Sequence, residues 1–502
     1  MSSVRGRVAK IKRNAIALLG GDVANRASTF AVYAMLAPYG LREFGQLSYG
    51  LTLLYTFHVF AAAGLPTSVT RAVARNPRRA RRVLYHGYVA AAIPSLVSAG
   101  CMSLFALVMG YPVDTVVVIA LLSLAIIPYA MTMITEAVIR GREDMHLIAL
   151  ANIPGNAAML GAAYVTLKLG YSVWGLAIVI VLSRLLTLLV VHCLFSWSCR
   201  DSRHVRRIRW RFAWGLLRRS MVFLGSDSVN VIWASLDMVI LSKFATEREI
   251  GLLGSSFQML QPILVLYRCI GVSSFPALCD AAVRGGQHIG ELSQTLIRFL
   301  LRLGVPATVA VYLLAPDVLT TVYRNEDFGS GAFVLQTLAF TLLLDPLNPV
   351  LGHALWAMSR ETIVLRIVIV NLIVNACVGF VLISQFGLAG AAGSVVVSSV
   401  TNLAQHYYFF RTEVYPLRLW RELIKLLPAT IALLGCVALG WGSTYCASSM
   451  QSVADAIGRV VPVTCRGSYV ALAIGLIAYA ILAFPATWAD RLPRTFSRAL
   501  RA

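Results

Sequence analysis

The sequence predicts an all-α protein that crosses a membrane about fourteen times, as two parallel six-helix lobes followed by two extra helices. Three observations carry that expectation: the composition, the side on which basic residues fall, and an internal repeat of about 205 residues. Hydrophobic residues make up 58% of the 502 and charged residues 13%, with a mean hydropathy of +0.74. A soluble domain is nearer half apolar and a quarter charged. The balance therefore excludes a water-soluble enzyme, and also a disordered chain, which needs low hydrophobicity. The 44 Lys and Arg outnumber the 22 Asp and Glu, for a formal charge of +22. In a soluble protein that excess would suggest nucleic acid. Here it reads as the cationic trim of a membrane protein, with no nucleic-acid partner.

A spanning helix needs roughly 20 mostly apolar residues. Such runs fall at 14–38, 44–69, 84–110, 114–138, 145–168, 173–198, 213–243, 249–276, 292–315, 332–356, 361–384, 388–411, 420–445 and 466–488. The first run is too long for a signal-peptide core and lacks a small-residue cleavage site, so it is expected to stay as a helix. Placing the N-terminus inside and alternating puts 31 basic residues on inner segments, 7 on outer ones and 6 within spans. A wrong helix count would scramble that asymmetry, so both termini are expected in the cytoplasm, with the protein multi-pass in the cell (inner or plasma) membrane. The domain organisation follows: a basic N-terminus at 1–13, an N-lobe at 14–198, a basic linker at 199–212, a C-lobe at 213–411, two final helices within 420–488, and a basic tail at 489–502. No outer or inner segment is long enough to hold a folded domain.

Repeats identify architecture early. Leu19-Gly20-Gly21-Asp22-Val23-Ala24-Asn25 in span 1 matches Leu224-Gly225-Ser226-Asp227-Ser228-Val229-Asn230 in span 7, at an offset of 205. Glu43-Phe44-Gly45-Gln46-Leu47 matches Glu249-Ile250-Gly251-Leu252-Leu253 at 206. An even number of spans per copy gives both copies the same orientation. Transporters built from such parallel halves bind substrate near the midplane where the halves meet.

Ionisable groups within spans are costly and mark cavities or partners. Asp22, Asn25, Arg26 and Thr29 recur at helical spacing and make one polar stripe on span 1. Asp22 and Arg26 are placed either to pair with each other or to line a cavity, and the two are compatible. Asp227, Asn230 and Asp237 form the matching stripe on span 7. Arg268 lies two to three turns in from the inner end of span 8, Arg184 near the middle of span 6, and Asp345 near the middle of span 10. The stretch Asp345-Pro346-Leu347-Asn348-Pro349 is expected to break its helix, which is tolerated at membrane depth where backbone lines a cavity or is buried in protein. Glu136, Glu291, Arg298 and Arg366 lie within about two turns of the inner interface and read as snorkelling side chains. Pro128 and Pro262 read as kinks.

The nine cysteines show no ligand spacing and lie mostly in apolar runs, where Cys behaves as a small hydrophobe. Cys446 and Cys465 flank one outer loop and are the one pair placed to form a disulfide. The eight histidines form no cluster, and no phosphate-binding glycine loop or zinc-protease motif is present. Neither metal nor nucleotide cofactor is expected.

Two parallel lobes, a polar first span and two appended helices resemble the MOP superfamily of multidrug, oligosaccharidyl-lipid and polysaccharide exporters. Within it, Phe44-Gly45-Gln46-Leu47-Ser48-Tyr49-Gly50, followed by Ala63-Gly64-Leu65 and Arg71, is similar to the second span of Wzx-type polysaccharide flippases. The Asp237 stripe, then Ile250-Gly251-Leu252 and Pro276, looks like the second lobe of the same family. The resemblance covers about residues 14–411. It implies a central cavity lined by spans 1, 2, 7 and 8, and a polyprenyl-pyrophosphate-linked oligosaccharide as substrate. It also suggests Arg26, Asn25, Arg268 and Asn230 as substrate-binding residues, and Asp22, Asp227, Asp237 and Asp345 as sites for a coupling H⁺ or Na⁺. Membrane lipid, a polysaccharide polymerase and glycosyltransferases are the implied partners. The alternatives are a lipid II flippase, whose arginine pattern in the first two spans is not evident here, and a drug/cation antiporter of the superfamily. A polymerase or ligase of the same pathway is the reading from a different class, and such enzymes tend to need a larger outer loop.

Overall fold

The computed structural model describes residues 20–199 and 209–417, with short stretches between 419 and 479. The expected N-terminal segment 1–13, the centre of the 199–212 linker, nearly all of the last span, the 489–502 tail, Cys446 and Cys465 lie outside the described residues. All regular structure among the described residues is helical. Residues 20–36 form α1. It is followed by α2 (Leu41–Ala62), α3 (Leu65–Arg75), α4 (Ala80–Val108), α5 (Val113–Ser123), α6 (Ile126–Gly141), α7 (His146–Lys168) and α8 (Val173–Ser198). Then come α9 (Trp210–Phe244), α10 (Glu247–Val283), α11 (Gly286–Tyr323), α12 (Ala332–Ala339), α13 (Thr341–Leu344), α14 (Leu347–Ala357) and α15 (Glu361–Glu413).

The first twelve expected spans find helices, and several of those helices are broken where the sequence carries Pro or Gly. Span 2 is α2 plus α3, bent by 45°. Pro66 clashes with a helical carbonyl at Ala62, so α2 ends there, and Ala63 (φ 48°) and Gly64 (φ 67°) turn through left-handed geometry. Span 4 is α5 plus α6, and the break at Leu124 lies four residues before Pro128, as the same clash requires. Span 7, α9, is bent by 52° between Gly225 and Ser228. Span 10 is α12 to α14. Its Asp345 and Pro346 keep right-handed helical dihedrals, so the expected break is a loss of hydrogen bonds and not an unwinding. Spans 11 and 12 form one helical run, α15, reversed at Gly387 (φ 54°, ψ −126°). Three residues later, a side chain on Gly390 would collide with the Leu382 carbonyl, so the hairpin needs Gly there too.

The chain divides into two compact units. The first comprises residues 1–262, 316–335 and 368–397. Its interior includes a cluster where Leu65, Val69 and Val73 of α3 pack with Ile134 and Val138 of α6, Val191 and Phe195 of α8, and Leu216 of α9. The second comprises 263–315, 336–367 and 398–502. In it Arg298 makes a two-pronged bond to Glu422, at 2.7 and 2.8 Å. The snorkelling expected of Arg298 is replaced by that pair, because a carboxylate 124 residues away accepts from two of its three guanidinium nitrogens, Nε and Nη2. Glu291 accepts from Gln287, and Arg366 is exposed.

Candidate functional site

Within the first unit, α1 carries the expected polar stripe. Arg26 Nε donates to Asp22 at 3.3 Å, so the i, i+4 pair forms. Its Nη1 also donates to Gln261 Oε1 of α10 at 2.6 Å. The two bonds fix the guanidinium and leave Nη2 without a protein acceptor among the described residues. Asp22 and Asn25 face a polar pocket of about 220 Å³ that Glu136, Arg140, Asn152 and Arg184 also line. Asn25 Oδ1 is buried there without a hydrogen-bond partner. Glu136, expected to snorkel, instead binds Arg140 at 2.8 Å with only 15% of its side chain exposed. The pocket gives it both a counter-ion and a polar wall, so it need not reach the interface. Arg184, noted in the sequence only for its depth, stacks on Tyr129 at 4.9 Å.

Asp237 is buried on α9 and meets two neutral donors from α15. Ser394 Oγ donates at 2.6 Å and Asn375 Nδ2 at 3.3 Å. Asn375 Oδ1 is itself buried without a partner. Among the described residues Asp237 has no cationic neighbour within ion-pair distance, so its oxygens and that of Asn375 make an oxygen-rich, cation-poor site. The partners lie 138 and 157 residues away, and nothing local in the sequence marks them. Asp345 lies in the second unit, beside Ser399. Arg268 is exposed on α10 in that unit and Asn230 is exposed on α9, each with an interaction of its own. The Asp227 side chain lies outside the described residues.

A second constellation, unmarked in the sequence, ties α2, α5 and α10 together at the end of the bundle that holds Arg42. Glu247 accepts from Arg42 Nε at 2.7 Å, from Gln46 Nε2 at 3.2 Å and from the Thr115 hydroxyl. Arg42 also reaches Asp114 at 3.2 Å, and Arg248 binds Asp327 at 3.0 Å. The Glu247 carboxylate, by its hydrogen bond and then its charge, holds the Arg42 guanidinium above its ordinary pKa. Beneath this layer α2 and α10 touch through small residues. A Cβ on Gly45 would lie 3.0 Å from the Gly251 nitrogen, and one on Gly254 would lie 2.6 Å from Ser48 Oγ. Gly45 with Gly251, and Ser48 with Gly254, are each 206 apart, the offset of the sequence repeat. Repeat-equivalent positions thus face each other, and small side chains let the two backbones approach.

Comparison with known proteins places this architecture. A family model described as polysaccharide biosynthesis protein matches residues 11–326, well over half of the chain. The chain belongs to the polysaccharide biosynthesis protein family. It is 20% identical over 295 residues to the probable low-salt glycan biosynthesis flippase Agl15 of Haloferax volcanii, covering 58% of this chain and 61% of that one. It is 26% identical over 147 residues to the probable lipid II flippase MurJ of Bdellovibrio bacteriovorus, 28% of each chain. The chain thus spans less than two thirds of either relative's length. Among solved structures, an inward-facing multidrug resistance MATE family transporter of the MOP superfamily superposes with a TM-score of 0.61 at 15% identity, covering 79% of this chain and 97% of that one. The inward closed lipid II flippase MurJ superposes with 0.59 at 14% identity, covering 99% of both. The family member therefore has the MOP superfamily fold.

Proposed function

We propose that this family member flips polyprenyl-pyrophosphate-linked oligosaccharide repeat units across the inner membrane by alternating access, for exopolysaccharide, O-antigen or capsule assembly. The observation that carries the reading is Arg26. In a polysaccharide biosynthesis chain, a guanidinium is held by Asp22 and Gln261 inside an apolar span, with one nitrogen left for a ligand. Forked N–H donors suit phosphate oxygens, and an amphiphile bearing pyrophosphate needs such donors within the bilayer. Asn25, Asn230 and Arg268 are the further substrate-binding candidates. Both termini face the cytoplasm in this reading, so the Arg42 end faces outward and its closure gates release.

Energy comes from a H⁺ or Na⁺ gradient. Asp237 is the foremost coupling group, because neutral donors surround it and the unpartnered Asn375 oxygen adjoins it. Asp22, Asp227 and Asp345 are the other candidates. The polymerase and glycosyltransferases of the pathway are its proposed partners. A second reading, flipping of lipid II, is favoured by the likeness to MurJ over 99% of both chains.

Reconstituted vesicles loaded with a polyprenyl-pyrophosphate oligosaccharide test the proposal, with transport scored with and without an imposed H⁺ or Na⁺ gradient. Arg26→Lys is expected to retain partial transport and Arg26→Ala to lose it. If Arg26 serves only to neutralise Asp22, the double variant Asp22→Asn, Arg26→Gln regains full transport, and the substrate role of Arg26 fails. Faster transport of lipid II than of the oligosaccharide carrier would favour the second reading.

A further inference from the structure

We propose that a groove between α2, α4 and the first half of α9 is a specific site for one anionic phospholipid. Its acyl chain lies along the groove and its phosphate on Arg218. The groove encloses about 650 Å³ and is lined by Phe57, Phe60, Val97, Cys101, Trp214 and Met221. That volume is within the roughly 300–1,000 Å³ usual for small-ligand sites. Its other polar side chain, Ser98, is turned into the bundle by a bond to the Phe57 carbonyl. Arg218 is therefore the one charged side chain among those that line the groove.

Charge complementarity selects the headgroup. Arg218 is exposed and has no carboxylate within ion-pair distance among the described residues. The same holds for Arg211 and Arg219 on α9 and for Arg71 on α3, which lies over the Phe223 ring at 4.6 Å. A phosphate on Arg218 meets no carboxylate within ion-pair distance of that guanidinium among the described residues. Basic pockets between helices near one face of a membrane recognise anionic lipid headgroups in this way.

Length selects the tail. Trp214, Leu217, Arg218, Met221 and Leu224 recur at helical spacing and form one stripe. Beyond Arg218 the stripe runs on to Leu224, a rise of about 9 Å at 1.5 Å per residue. That lies within one leaflet of the roughly 30 Å hydrocarbon core, so the groove takes the headgroup-proximal part of one acyl chain. An ordinary acyl chain ends within that leaflet, whereas a long polyprenyl chain exceeds it. The occupant is therefore a phospholipid and not the carrier lipid.

The site also touches the two bends of the first unit. Gly64, where α2 breaks, packs so closely on α9 that a Cβ there would lie 2.7 Å from the Leu224 nitrogen, one residue before the α9 bend. A lipid seated between Ala63 and Leu224 braces both breaks in the bent arrangement.

The test is native mass spectrometry of the full chain in detergent, titrated with phosphatidylglycerol, phosphatidylcholine or undecaprenyl phosphate. One tightly retained phosphatidylglycerol is expected, preferred over phosphatidylcholine. Arg218→Gln should weaken its retention by about tenfold, as loss of a charge-assisted contact does. Because Arg218 has no protein carboxylate to lose, that variant should elute and melt as the parent does. Cys101→Trp fills the groove and should abolish retention, while Arg248→Gln, at the opposite end, should leave it unchanged. Unchanged retention in both Arg218→Gln and Cys101→Trp would overturn the site. An equal loss in Arg248→Gln would overturn it in favour of unspecific charge. Displacement of phosphatidylglycerol by equimolar undecaprenyl phosphate would overturn it in favour of a carrier-lipid groove.

Discussion

The two ends of the first unit use arginine in opposite ways. At the end holding Arg42, guanidinium groups have carboxylates: Arg42 binds Glu247 and Asp114, and Arg248 binds Asp327. At the other end only Arg140 and Arg142 bind carboxylates, Glu136 and Asp144, while Arg71, Arg75, Arg78, Arg79, Arg81, Arg82, Arg209, Arg211, Arg218 and Arg219 have none within ion-pair distance among the described residues. The first arrangement joins helices to one another. The second leaves charge available to something outside the chain, such as the anionic lipid proposed above. Arginine number alone does not distinguish the two roles. The position of carboxylates does.

The largest expected effect breaks the paired end from beneath. Gly45→Val puts a branched side chain where a Cβ already lies 2.9 Å from the Glu247 carbonyl carbon and 3.0 Å from the Gly251 nitrogen. Both obstacles are backbone, so neither can rotate away. Overpacking of this kind costs about 1–3 kcal/mol, which displaces a two-state equilibrium by roughly 5–150-fold. The closed arrangement at this end should lose population by that factor. Labelling of an introduced cysteine at Ser48 with a membrane-impermeant reagent measures it, and an unchanged labelling rate would mean that the Gly45–Gly251 contact does not hold the end shut.

That contact was half legible in the sequence. The repeat at 206 residues paired Gly45 with Gly251 as equivalents, but equivalence by sequence does not say that two positions touch. Hydropathy located the first twelve spans because a bilayer demands a long apolar run whatever its neighbours are. It passed over the bends at Ala63 and at Gly225, where the chain stays apolar while its backbone turns, though Pro66 was a legible cause of the first. Depth in a span led to the wrong expectation for Glu136 and Arg298. Their partners are Arg140, one turn along the same helix, and Glu422, remote in sequence, and a depth argument considers neither. Asp237 was legible as a buried carboxylate, yet its neutral donors on α15 were not, since serine and asparagine are ordinary residues until the fold brings them to an acid.

A smaller effect separates steric from electrostatic closure. Glu247→Gln keeps the shape of the side chain and removes the charge that Arg42, Gln46 and Thr115 share. Glu247 is 17% exposed but Arg42 is 55% exposed, so solvent screens much of the attraction. The expected cost is about 1 kcal/mol, nearer the value of an exposed pair than of a buried one. It should appear as a modest rise in labelling at Ser48, and it should shrink further in high salt. A loss exceeding that of Gly45→Val would make the carboxylate, and not the small-residue contact, the principal lock.

The smallest effect on folding is expected at the unpaired end. Arg78 and Arg79 lie at the turn between α3 and α4, exposed and without carboxylate partners among the described residues. Replacing both with Gln removes no ion pair among the described residues, so stability in neutral detergent should stay within about 0.5 kcal/mol of the parent, with little change in the melting midpoint, as for other surface substitutions. The difference should emerge only when anionic lipid is added. Each basic residue near such a surface contributes about 1 kcal/mol of attraction, so the gain in midpoint on adding phosphatidylglycerol should fall in the double variant and converge with the parent in high salt. The same substitution at the paired end gives the reverse pattern. Arg42→Gln should lower the midpoint in neutral detergent and leave the response to phosphatidylglycerol intact, because its charge is already committed to Glu247 and Asp114. If Arg78 and Arg79 instead destabilised the protein in neutral detergent, they would have protein partners, and the contrast between the two ends would fail.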